Sequence, residues 1–209
     1  MTVGVSFPAP LSWNAESLRR ALNGLLPRDC WVAAVHPMAP GFHARKSALA
    51  RRYRYDIGSD EASFSPFRRP FEWALARPLE VAALRSAAKL VLGEHDFSAF
   101  AVKGEPKPHY RCRLTRSEWD IRPGGRGYSY HVQADRFLHH MVRMLVGTMV
   151  DVGLSRRPLA DIETLLERGD NQDTSPPAPP QGLYFVEASY PAELYTDEPR
   201  ESHAAARSS

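Results

Sequence analysis

Two places in this 209-residue sequence hold side chains whose types and spacing could do chemistry. The first is Phe42 to Tyr55, F-H-A-R-K-S-A-L-A-R-R-Y-R-Y, where Arg45, Lys46, Arg51, Arg52 and Arg54 gather with no acid between them. Its last four residues alternate Arg52, Tyr53, Arg54, Tyr55, which predicts a strand with tyrosines on one face and arginines on the other. Arginines so placed can meet phosphates while a tyrosine offers its ring to a base, a stack worth about 1–3 kcal/mol. The same run also suits an edge strand whose tyrosines pack inward and whose arginines are solvated. The second place is Arg143, set among Val142, Met144 and Leu145 in the most apolar helical stretch, 136–152. A charge there is costly without a partner, so it either snorkels out at a helix edge or pairs with a buried carboxylate in a cleft. His139 stands one helical turn before it and Gly147 one turn after. The pair His139–His140 invites a metal, but adjacent helical residues point about 100° apart and no HExxH or CxxC accompanies them. The sequence holds no GxxxxGK[ST], GxGxxG or GxSxG, so glycine-built phosphate cradles and a nucleophile elbow are unsupported.

The elements that must position these residues follow from periodicity. Leu18, Leu22 and Leu25 predict a helix over 15–25, with Asn14 as its N-cap and Pro27 beyond its end. Residues 31–36, W-V-A-A-V-H, read as a short buried strand. The Ser-, Pro- and Phe-rich stretch 58–78 reads as a connecting loop. Val81, Leu84, Ala88 and Val91 form the stripe of a helix over 80–92, with Gly93 at C′. A strand over 113–121 and another over 128–134, joined by the turn P-G-G-R-G, predict an antiparallel hairpin. Leu138, Met141, Leu145 and Met149 mark the helix 136–152, and a further helix runs over 158–168. S-P-P-A-P-P-Q is an extended loop into a last strand, 182–190, and 192–209 reads as a solvated tail. This mixture points to an α+β fold with a largely antiparallel sheet and helices on one face.

Composition sets limits. Apolar residues at 43% and charged residues at 24% are ordinary globular usage, which excludes wholesale disorder. No apolar run approaches the roughly 20 residues of a bilayer span, and the N-terminus lacks a signal-peptide pattern. Cys30 and Cys112 are too few for a disulfide scaffold or a cysteine-built zinc site, so a cytoplasmic protein with reduced thiols is expected. Arginine supplies 23 of the 27 basic residues. That bias suits RNA, and a GC-rich genome produces it as well.

Taken together and in order, several segments resemble the TruA-type tRNA pseudouridine synthases: L-N-G-L-L-P-R-D (22–29), the run 42–55, G-E-H-D-F-S-A-F (93–100), A-D-R-F-L-H-H-M-V-R-M-L-V-G-T-M-V-D-V-G (134–153) and G-L-Y-F-V-E-A-S-Y-P (182–191). The resemblance implies the pseudouridine synthase fold and an enzyme that isomerises uridines of the tRNA anticodon stem-loop, positions 38 to 40. It implies no cofactor and no metal, tRNA as partner, and a homodimer as the working unit. The tyrosine that stacks on the flipped uracil falls on Tyr53, the arginine that pairs with the nucleophilic carboxylate on Arg143, and the apolar residue that closes the pocket on Leu183. Arg45, Lys46, Arg51 and Arg52 become candidates for a phosphate track.

The sequence departs from the family at one place. The nucleophilic aspartate of the family lies in G-R-T-D-A-G-V-H, and no such string occurs in the 209 residues. Asp56 and Asp60 follow the strand motif and do not stand on the element that carries the nucleophile. The expected organisation is therefore a partial N-terminal α/β domain (1–57), a connecting loop (58–78), a complete C-terminal α/β domain (79–191) and a disordered tail (192–209). Three readings follow: a synthase whose start codon has been set too late, a shorter protein that binds structured RNA without catalysis, or a decayed, unfolded remnant. As written, the chain is expected to be inactive.

Overall fold

In the computed structural model, the described residues are 3–9, 12–102, 109–168, 170 and 172–196. They divide into two compact units, one built on Ala50–Ala188 and the other on Gly4–Leu49 with the stretch from Ser189.

The larger unit is a mixed α/β fold around a six-stranded, mostly antiparallel sheet. Its strands are β1 (Ala50–Gly58), β2 (Trp73–Ala74), β3 (Gly93–Asp96), β4 (Arg111–Ile121), β5 (Gly127–Ala134) and β6 (Leu183–Ser189). The order is β2-β1-β5-β4-β3, with β6 also paired to β1. β1 and β2 are parallel; the β1–β5, β4–β5 and β3–β4 ladders are antiparallel. The alternation read in 52–55 is what places β1 here: Tyr55 and Ile57 are wholly buried, opposite Tyr130 and Tyr128 of β5. β1, which the sequence reading grouped with residues 1–57, thus lies inside this sheet.

The predicted hairpin is β4–β5, turning through Pro123–Gly125. A register shift falls between Leu114 and Arg116, leaving Thr115 as the extra residue. Cys112 and Leu114 are buried before it, and Ser117 and Trp119 after it. The bulge moves the inward parity by one, so both halves of β4 keep an apolar face.

Helices cover that face. α2 (Val81–Leu90) buries Leu84, Ala87 and Ala88, and Glu80 caps it through Ala82 N–H. Its sequence-read stripe holds, but Val91 is the C-cap, so Gly93, expected at C′, lies one position beyond it and opens β3 at φ +96°. α3 (Met141–Gly153) buries Met141, Leu145 and Met149, and the indole N–H of Trp119 donates to the Met149 sulfur at 3.4 Å. Each fully buried side chain of this kind stabilises the fold by about 1.5–3 kcal/mol. α4 (Ala160–Arg168) adds Ile162 and Leu165 to the same core.

Several sequence expectations need correction here. The helix expected over 136–152 begins only at Met141, because His140 takes a left-handed φ of 62° and the preceding residues form a turn closed by Met141 N–H to Leu138 O. His139 therefore lies outside the helix, and its ring stacks on that of His140 with centroids 4.1 Å apart. The connector 58–78 is more than a loop: it holds two short 3-10 turns and β2. Residues 93–96, left without an element, form β3.

The smaller unit carries α1 (Ala15–Leu25), with Asn14 capping Ser17 N–H at 2.8 Å as the sequence predicts. None of the residues of α1 is buried. Residues 31–36 are not a strand: the Asn23 amide accepts from Val32 N–H and donates to Val32 O, so a side chain satisfies the backbone that a neighbouring strand would have paired. The start of the expected tail is ordered as a 3-10 turn (Ala192–Leu194), with Ala39 N–H donating to Leu194 O and an isolated bridge joining Met38 and Tyr195. The rest of that tail, 197–209, lies outside the described residues. No described helix is long and apolar enough to cross a membrane.

Candidate active site

Tyr53 sits on β1 on the same face as Tyr55 and is half-buried. Two rings box it edge-on: Phe137, from the turn before α3, at 5.0 Å, and Phe185, from β6, at 5.2 Å. Such edge-to-face pairs fix a ring plane as well as burying it. Burial pushes the Tyr53 hydroxyl above the usual phenol range.

Arg143 projects from the first turn of α3. Its Nε donates to the Ala178 carbonyl at 2.6 Å, and the Ala178 N–H donates back to the Arg143 carbonyl at 2.9 Å. In the structure Arg143 is held by this backbone bracket, which engages Nε and leaves its outer nitrogens outside the pair of bonds. Among the described residues no carboxylate lies within ion-pair distance of Arg143.

Gly147, one turn on, explains how the bracketing segment comes so close. A Cβ there would fall 2.2 Å from the Pro176 carbonyl oxygen. The segment then reaches β1, where Tyr55 O–H donates to Pro179 O at 2.6 Å. Burial holds the Tyr55 hydroxyl well above the ordinary range, against the nearby Arg143 charge. A Cβ on Gly182 would fall 2.7 Å from the same tyrosine ring, which seats the next residue, Leu183, against the core at the head of β6. Tyr53, Arg143 and Leu183, 130 residues apart in sequence, are thus linked through Tyr55 and Phe185.

The four candidate phosphate ligands are distributed differently. In the larger unit, Arg51 donates to the Asp135 carbonyl at 2.6 Å and Arg52 pairs with Glu187 at 2.7 Å. Arg54 lies 4.8 Å above the Tyr184 ring and 3.1 Å from Asp56. In the smaller unit, Arg45 and Lys46 are exposed on a turn whose N–H groups point at the His43 ring.

Asp56 faces away from the Tyr53 side. It pairs across the ladder with Ser129, whose hydroxyl donates to it at 2.7 Å, while Tyr55 beside it pairs with Tyr130 on the core face. Asp60 is held by Arg68 at 2.7 Å. Among the described residues no group of three metal-ligating side chains gathers.

Sequence reasoning missed Phe137, Phe185, Tyr55 and Ala178. A signal for Ala178 existed in P-P-A-P-P, where it holds the sole backbone N–H between 176 and 180.

Comparison with known proteins adds to this geometry. Residues 87–191 match the family model described as tRNA pseudouridine synthase. tRNA pseudouridine synthase A of Thermus thermophilus is 40% identical over 180 residues, which cover 85% of this chain and 70% of that protein. tRNA pseudouridine synthase A of Myxococcus xanthus is 38% identical over 184 residues, 88% of this chain and 69% of that one. A Protochlamydia amoebophila protein, tRNA pseudouridine synthase A 1, is 34% identical over 174 residues, 83% and 68% respectively.

Proposed function

Because this chain belongs to the tRNA pseudouridine synthase family, we propose that it supplies the uridine-binding side of a site that isomerises uridine to pseudouridine in tRNA. The target uridines are those of the anticodon stem-loop, positions 38 to 40, and the working unit is a cytoplasmic homodimer. In the reaction the N1–C1′ bond breaks, C5 bonds to C1′ in its place, and the proton from C5 leaves as N1 gains one. Atoms are conserved throughout, so no co-reactant is consumed. The uridine must first leave the stack.

Tyr53 then stacks on the uracil, with its plane fixed by Phe137 and Phe185. Leu183 closes the pocket. Arg143 offers its outer guanidinium nitrogens to the nucleophilic aspartate, its Nε already being committed to Ala178. Arg45, Lys46, Arg51 and Arg52 carry the phosphate contacts. The observation that best supports this reading is the linkage of Tyr53, Arg143 and Leu183 through Tyr55 and Phe185 on the core side of the sheet.

The carboxylate is the part these residues do not contribute. Asp56 points from the opposite face, and Arg143 has no described carboxylate beside it. The alternative reading is a structured-RNA binder without catalysis. One experiment addresses both. The purified 209-residue chain is mixed with tRNA carrying tritium at uracil C5, and binding and tritium release are followed over a salt series. Binding that weakens with salt and releases no tritium is expected. Binding that ignores salt would overturn the phosphate contacts, and tritium release would show that another carboxylate substitutes.

A further inference from the structure

The segment from Ser175 to Gly182 crosses α3 and ends on β1, and its contacts converge on one side chain. Pro176, Pro177, Pro179 and Pro180 have no N–H, so Ala178 holds the only backbone donor between 176 and 180. That donor goes to the Arg143 carbonyl, and the carbonyl of the same residue takes Arg143 Nε. Ala178 is 2% exposed, so its N–H and carbonyl are largely shielded from water. One residue further on, Pro179 O receives the hydroxyl of Tyr55, a side-chain donor that ties this strap to the sheet.

We propose that Tyr55 is a positioning residue: its hydroxyl holds the strap at Pro179 so that Ala178, the adjacent residue, fixes the Arg143 guanidinium. The inference takes from the preceding section that Arg143 is the group to be positioned. It adds a residue that touches neither the stacked base nor the phosphates. Tyr55 suits the task because its ring is pinned on the core face, opposite Tyr130 and against Gly182, leaving only the O–H to reach the strap. Burial keeps that hydroxyl protonated, and so a donor, throughout the working pH range.

The test reads Arg143 directly. In the ¹⁵N-labelled 209-residue chain, the Arg143 Nε–H signal is identified by its loss in Arg143→Lys, and its hydrogen exchange is compared between wild type and Tyr55→Phe. Exchange is expected to speed up about tenfold, the size of one lost hydrogen bond. Arg68 Nε–H, bonded to Glu72 at 2.8 Å away from the strap, serves as the internal control and should not change. Ala178→Pro leaves Tyr55 in place and removes the strap's donor to α3; it should produce the same acceleration and keeps the question open to refutation if Tyr55→Phe does not fold. Unchanged Arg143 exchange in either folded variant overturns the proposal, as does an acceleration shared equally by Arg68. The readout needs no RNA, so a chain that fails to bind tRNA would sink the functional reading and leave this measurement standing.

Discussion

Replacing Glu72 by alanine should destabilise the larger unit far more than an ordinary surface charge change. Glu72 is 2% exposed and accepts from Arg68 Nε at 2.8 Å and from Arg122 Nη1. It joins the connector after β1 to the end of β4. Breaking a buried ion pair from one side costs about 3–5 kcal/mol, because the other charge stays desolvated. Here the two guanidiniums remain 22% and 25% exposed, and Arg68 keeps Asp60 at 2.7 Å. Water and Asp60 recover part of the loss, which leaves about 2–3 kcal/mol. At roughly 2–4 °C per kcal/mol for a protein of this size, the melting temperature should fall by about 5–10 °C. Differential scanning calorimetry at neutral pH measures it. Combining Glu72→Ala with Arg122→Met should recover part of the loss, since the stranded charge is then gone. A fall below about 2 °C, or a double variant no better than the single, would refute the reasoning that an uncompensated guanidinium sets the cost.

Two further outcomes follow from charges held in place. Arg68 holds the Asp60 carboxyl below the usual range of about 3.9, so its contribution to stability is complete above that value and disappears as pH falls through the lower, folded-state pKa. The melting temperatures of wild type and Asp60→Asn should therefore differ at pH 6 and converge below about pH 4; a gap that is the same at every pH would rule this out. Glu187 occupies Arg52 at 2.7 Å, so Glu187→Gln should release a cation for phosphate, tighten tRNA binding about two- to fivefold in low salt and steepen the log–log salt slope by up to about one unit. Filter binding over a salt series decides it: unchanged affinity removes Arg52 from the phosphate contacts.

Where side-chain period and burial coincide, the sequence was readable. β1, α2 and the β4–β5 hairpin follow their alternation or 3.6-residue stripe, and Asn14 capped the helix its position announced. The failures have specific physical causes. The apolar stripe through Leu138 suggested a helix, but one left-handed residue, His140, delays α3 until Met141, and hydropathy carries no record of φ. Residues 31–36 have strand composition, but the Asn23 side chain takes the place of a partner strand. β3 escaped because G-E-H-D has no apolar residue, its pairing being set by β4 rather than by its own side chains. In the candidate site, Tyr53, Arg143 and Leu183 were marked by motifs. Tyr55, Phe137 and Phe185 stand in the same motifs without a role attached to them, and Ala178 stands outside them, since they act on neighbours that only folding brings near.

The prolines of the strap bear on when this part of the site becomes ordered. Fixing one backbone residue costs about 1–2 kcal/mol of conformational entropy, and proline has surrendered much of that freedom before folding begins. Four of the five residues at 176–180 are proline. The unfolded chain therefore already samples extended conformations close to the one that lies across α3, and docking the segment restricts it less than an ordinary loop of that length. Arg143 is held by a piece of chain whose covalent structure has done part of the ordering in advance.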